Sequence, residues 1–157
     1  MVQLHRVLIA FCFVIGTSVA SNVLAQDDAD ANDPIVIELD RRVEQFFERI
    51  AEGDHDNAFP SLLLRSQLLD QEDELQALID ASKQIETRYG AYRGSEQIGA
   101  QRVGTDLILL KYLFKCERFP VVWYVAFYRQ PATANSVDRD WAVISLSFDT
   151  RIQRLFN

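Results

Sequence analysis

Apolar positions recur with a helical period in the first half of the chain and with a strand period in the second. Val36, Leu39, Val43, Phe46, Phe47 and Ile50 stand three or four residues apart. Glu38, Asp40, Arg41, Arg42, Glu44, Gln45, Glu48 and Arg49 fill the other faces, which predicts an amphipathic helix. Asp33-Pro34 suits its start and Gly53 its left-handed stop. Residues 54–57 read as a polar turn. Ala58, Phe59, Leu62 and Leu63 predict a second, short helix that tolerates Pro60 only near its first turn. Asp70 with Asp73 resembles a capping arrangement for a third helix, with Leu75, Leu78, Ile79 and Ile85 as its apolar stripe and Gly90 as its stop.

From Tyr92 the period falls to two. Residues 95–103 form the first strand expected, closed by Gly104-Thr105-Asp106. Residues 107–116 follow, with Ile108, Leu110, Tyr112, Phe114 and Cys116 on one face and Leu107, Leu109, Lys111, Leu113 and Lys115 on the other. Residues 121–129 make a third strand, rich in aromatic and β-branched side chains. A loop over 130–139 leads to a fourth strand over 141–148, with Ala142, Ile144, Leu146 and Phe148 on one face, and residues 149–156 form a tail. Helices first and antiparallel strands afterwards is the α+β pattern: N-terminal helices packed on a curved antiparallel sheet that buries the stripe from Val36 to Ile50, as one domain over 34–157.

Residues 1–25 are of another kind. Arg6 supplies a positive start, Val7 to Ile15 an apolar run, and Val23 and Ala25 the small side chains that a signal peptidase needs three and one residues before its cut. This reads as a secretory signal peptide, with an apolar core too short to span a bilayer, and places the protein in a secreted or periplasmic compartment with no membrane span after cleavage. Phe11 precedes Cys12, where a lipoprotein signal needs a small residue, so no lipid anchor is expected. Residues 26–33, QDDADAND, read as a flexible acidic leader. Cleavage leaves Cys116 as the single cysteine, which rules out an intramolecular disulfide.

Charge narrows the partners. The chain has 16 Lys+Arg against 23 Asp+Glu, a formal net charge of −7, and loss of the signal removes Arg6 and no acid. Such a field repels phosphate backbones, so nucleic acid is not an expected partner. Only His55 remains as a histidine after cleavage, with no further ligands beside it, so neither a metal site nor any other cofactor is expected.

The stretch Phe46-Phe47-Glu48-Arg49-Ile50-Ala51-Glu52-Gly53-Asp54, followed by Ala58-Phe59, resembles the opening helix of the nuclear transport factor 2-like (cystatin-like) superfamily. Tyr89-Gly90-Ala91-Tyr92 before the sheet, and Trp141 opening the last strand ahead of Asp149, also resemble its small exported domains. The resemblance implies a cone-shaped α+β domain with a pocket between helices and sheet, and often a homodimer. Some of these relatives are isomerases, dehydratases or cyclases with an Asp–His or Tyr–Asp pair in the pocket, and many bind ligands or proteins without known chemistry. The dehydratase-type Asp–His pair has no counterpart here.

The candidate site residues follow. Tyr92, Tyr112, Trp123, Tyr124, Tyr128 and Trp141, with Tyr89, are amphipathic rings suited to a pocket for a small apolar or aromatic ligand, although cross-strand packing explains such rings equally well. Asp54-His55-Asp56 offers an imidazole between carboxylates, but as consecutive turn residues they read as solvated, with a pKa shifted modestly upward. Lys111, Lys115 and Arg129 read as a solvated rim, and Cys116 as an inert thiol. The expectation is a non-catalytic module binding a ligand or a protein. The alternative is a small pocket enzyme of isomerase or cyclase type, pairing a buried Glu38 or Asp40 with a Tyr hydroxyl. Apolar residues on both faces of the central strands suggest a homodimer across the outer sheet face. One measurement checks the compartment: intact mass and N-terminal sequencing of exported material should place the first residue at Gln26.

Overall fold

The computed structural model describes residues 27–28, 33–131 and 141–151. Helix α1 (Pro34–Ala51) begins as its sequence dictates: the Asp33 carboxylate accepts from the Ile35 N–H at 2.9 Å, and Pro34 fills the first turn. Gly53, at φ 80°, then turns the chain, a conformation that costs a residue with a Cβ.

Helix α2 (His55–Leu62) starts earlier than expected, and His55 lies on its first turn rather than in a loop. The Asp54 carbonyl already accepts from the Ala58 N–H at 3.0 Å, which makes residues 54–57 helical. Pro60 is therefore inside the helix. It is exposed, and an element this short loses only one internal bond to it. A single 3₁₀ turn (Gln67–Asp70) follows, opened by Ser66, whose hydroxyl accepts from the Leu68 N–H at 3.1 Å. Helix α3 (Glu72–Tyr89) starts at Gln71 with no side-chain cap, because Asp70 belongs to the 3₁₀ turn; the expected pairing of Asp70 with Asp73 is not its start. Glu72, Asp73 and Glu74 instead place negative charge at the positive end of the helix dipole. Gly90, at φ 89°, ends it.

Strands β1 (Asp27–Asp28), β2 (Tyr92–Val103), β3 (Leu107–Cys116), β4 (Val121–Arg129) and β5 (Trp141–Asp149) form one antiparallel sheet in that order. In the acidic leader, read from the sequence as flexible, Asp27–Asp28 pairs with Arg102 and Gln101 of β2. Strand β2 begins three residues earlier than the alternation predicts. A register irregularity between Tyr92 and Gly94 hides the period there, and Gly94 takes φ 121°. The expected face of β5 is also corrected. A bulge opposite Ala126 and Phe127 inserts Ile144, so Ala142, Val143 and Leu146 are buried while Ile144 is 48% exposed. The expected loop and tail lie mostly outside the described residues, at 132–140 and 152–157.

All three helices cover one face of the sheet, which makes the domain α+β. The buried stripe of α1 consists of Val36, Leu39, Val43, Phe46, Phe47 and Ile50, the six residues its periodicity picks out. Phe47 is the hub. Its ring centroid lies 5.3 Å from Tyr112, 5.4 Å from Phe114 and 5.7 Å from Trp123, all at steep edge-to-face angles. Phe46 bridges Trp123 at 5.4 Å and Phe59 of α2 at 5.0 Å, so one pair of adjacent rings joins α1, α2, β3 and β4. Removing the hub should be costly: Phe47→Ala is expected to destabilise the domain by about 3–5 kcal/mol in a urea melt, with the slope of the transition unchanged.

Candidate functional site

The first place to look is the space between α1 and the sheet. Tyr112 of β3 is 1% exposed there, and Trp123 of β4 is fully buried beside it. With Gln97 and Phe148 they form one register row across four strands. The Tyr112 hydroxyl donates to Asp40 Oδ1 at 2.8 Å. Burial raises the Tyr112 pKa far above the usual phenol value, and the bond to Asp40 raises it further. Asp40 is half-buried, and Glu38 is exposed. An acid–phenol pair therefore exists, but none of the clefts found among the described residues is lined by either member. The rings fill this volume themselves. Gln97 Nε2 and Trp123 Nε1, flanking Tyr112 in the row, are buried donors without an acceptor among the described residues, an arrangement that costs about 1–3 kcal/mol each.

The other rings do not converge. Tyr92 stacks on Phe114 at 4.5 Å and donates its hydroxyl proton to Ser95 at 3.1 Å. Tyr124 lies on the outer face of the sheet, its ring 5.6 Å from the Lys111 ammonium. Trp141 lies beside the Arg129 guanidinium, also at 5.6 Å. Tyr128 is 39% exposed and borders a cleft of about 420 Å³. Two of the three basic candidates form ion pairs, Lys115 with Glu96 and Arg129 with Asp106. Cys116 is half-buried, and burial, then Glu86, pushes its thiol pKa up, away from the reactive thiolate.

His55 is held where the sequence placed only hydration. Its Nδ1 lies 2.9 Å from the hydroxyl of Ser82, a buried residue of α3. Ser82 has one proton and donates it to the Ile79 carbonyl at 2.7 Å, so Ser82 accepts and His55 Nδ1–H donates. That polarity is the reverse of a base activating a serine nucleophile. The expected upward pKa shift is also overturned. Desolvation, then Lys83, lowers it, and together they outweigh the opposing pull of Asp56, Asp54 and Glu86.

Open space lies at the edge of the sheet. α3 runs beside β5, and two clefts separate them. One, of about 280 Å³, is bordered by Leu75 and Leu78 of α3 and by Ile144 and Leu146 of β5. The other, of about 240 Å³, is bordered by Ile85 and Tyr89 and by Phe148 and Thr150. The cleft at Tyr128 adjoins the first through Leu68, Gln71 and Ile144. β5 is the last strand of the sheet, and two of its carbonyls are already occupied: Arg42 Nη1 donates to Trp141 O at 2.8 Å, and the Ser66 hydroxyl donates to Val143 O. The Arg42 guanidinium also lies 5.3 Å from the Phe127 ring, and burial lowers its pKa. Sequence reasoning missed this edge. The apolar stripe of α3 was its one available signal, since Leu75 and Leu78 belong to that stripe and yet are only partly buried.

Comparison of the chain with protein-family models, curated proteins and solved structures finds no match.

A pH titration checks the His55 environment. The folded domain resists protonating His55 and the unfolded chain does not, so unfolded molecules bind the proton first. Stability contributed here is full above the ordinary value of 6.5 and falls as pH drops from there toward the lower pKa of the folded state. NMR of the ring protons should give a midpoint below 6.5, and Ser82→Ala should move it.

Proposed function

We propose that this chain is an exported, non-catalytic binding module of nuclear transport factor 2-like type, acting outside the cytoplasm on a protein or small apolar ligand. The observation that carries the proposal is the filled interior. The volume where a pocket enzyme would hold its substrate is taken up by Phe46, Phe47, Tyr112 and Trp123, while the open clefts border α3 and β5. Pairing of two copies across the outer sheet face belongs to the same reading. The support for it is the presence there of Leu107, Leu109 and Leu113 of β3, none of them covered by a helix.

One observation favours the alternative enzyme, the Tyr112–Asp40 pair. Its geometry suits general acid chemistry, but a phenol whose pKa is raised this far gives up its proton poorly, and a substrate would have to displace the α1 rings to reach it. The pair is better suited to holding α1 at a fixed height on β3.

The two readings separate under one substitution. Tyr112→Phe removes the hydroxyl and leaves the ring. If the domain only binds, the variant should lose about 1 kcal/mol of stability and capture the same partner as the parent chain in chemical cross-linking of the envelope. A partner or turnover lost together with the hydroxyl, with the fold intact by circular dichroism, would give the site to the enzyme.

A further inference from the structure

We infer that the second half of β5 is a strand-addition site that takes an extended segment of a partner protein, apolar at alternate positions, acidic at its N-terminal end and closing on Lys or Arg at its C-terminal end. The inference rests on the binding-module reading and names its surface.

The edge of the sheet is divided in two. At Trp141 and Val143 the strand carbonyls are already taken by Arg42 and Ser66, so pairing with a further strand is blocked there. Beyond the bulge at Ile144 no such cap is present among the described residues, and the strand runs on to Asp149. An uncapped edge is a template for main-chain hydrogen bonds. Beside it α3 stands off, leaving the two clefts in line. The lengths agree: residues 144–150 span about 20 Å as a strand, and residues 74–89 about 22 Å as a helix, room for roughly six extended residues.

The lining selects the segment. Alternate side chains of an added strand point toward the helix layer, where Leu75, Leu78, Ile85 and Phe148 offer apolar surface, and the others point the same way as the exposed Ser145 and Ser147. Charge sets the direction. Every pairing in the sheet is antiparallel, so an added strand would enter beside Thr150 and leave beside Ile144. The entry is bordered by exposed Arg88. The exit is bordered by exposed Glu74, next to Glu72 and Asp73 in the first turn of α3. A segment acidic at its start and basic at its end complements both, and the overall net charge of −7 favours a basic end.

The test pans a random displayed octapeptide library over the purified chain and over its Ala81→Trp variant. Ala81 is exposed and borders the cleft, so the indole fills the groove without entering the core. The expected result is enrichment of peptides with alternating apolar residues and a C-terminal Lys or Arg, binding the variant about tenfold or more weakly. On addition of the enriched peptide, amide exchange should slow at residues 145–149, and Glu74→Lys should shift preference to peptides that end in an acid. Three results would overturn the inference: no alternating consensus, equal binding to Ala81→Trp, or protection confined to the outer-face residues Leu109, Leu113 and Tyr124. The last would remove the edge site and leave the binding-module reading standing. Loss of that reading would show separately, as turnover dependent on the Tyr112 hydroxyl.

Discussion

The structure depends on the contact of Phe47 with the concave face of the sheet. One ring, on the central turns of an 18-residue helix, touches Tyr112, Phe114 and Trp123 from two neighbouring strands, and Phe46 beside it reaches Phe59 of the next helix. Edge-to-face packing fixes the spacing of these rings closely, because each places its positive edge on the negative face of another. That contact sets the height of α1 above the sheet, and the height leaves no room for a ligand. The interior that makes the fold stable is thus the reason function must lie elsewhere.

Polar groups drawn into this frame serve it. Asp40 takes the proton of the Tyr112 hydroxyl, Ser82 takes that of His55, and Arg42 reaches the last strand, spanning 99 residues of sequence. Each ties a helix to an element that apolar packing alone would leave free to slide, and each satisfies a group whose burial would otherwise be costly. The same groups would be the natural first candidates for catalysis in a list of residue types. Their donor–acceptor polarity and their separation from the open clefts argue against that use.

An open sheet edge is a hazard for any exported domain, since unpaired strand groups recruit other chains. Here the hazard is met over half the strand, by Arg42 and Ser66, and the bulge at Ile144 marks the change. The remaining half carries an apolar floor and opposite charges at its two ends, which is the asymmetry a directional binding groove needs and a merely neglected edge does not.

The chain by itself determined the elements and their buried faces wherever one periodicity ran unbroken: α1 with its stripe, its Asp33 cap and Gly53, and the alternation of β3 from Ile108 to Phe114. It was least legible where local and tertiary demands differ. The bulge in β5 is set by the partner strand, so no period in residues 141–148 could show that Ile144 turns outward. The start of α2, and with it the packing of His55 against Ser82, depends on a helix 27 residues away. Tyr112 and Trp123 read equally as pocket or core, because an aromatic ring suits both, and only the approach of Phe46 and Phe47 decides between them. The groove between α3 and β5 lay furthest out of sight. It is a space between two elements, and the gap separating them is a property of the assembled layers, with no residue of its own to announce it.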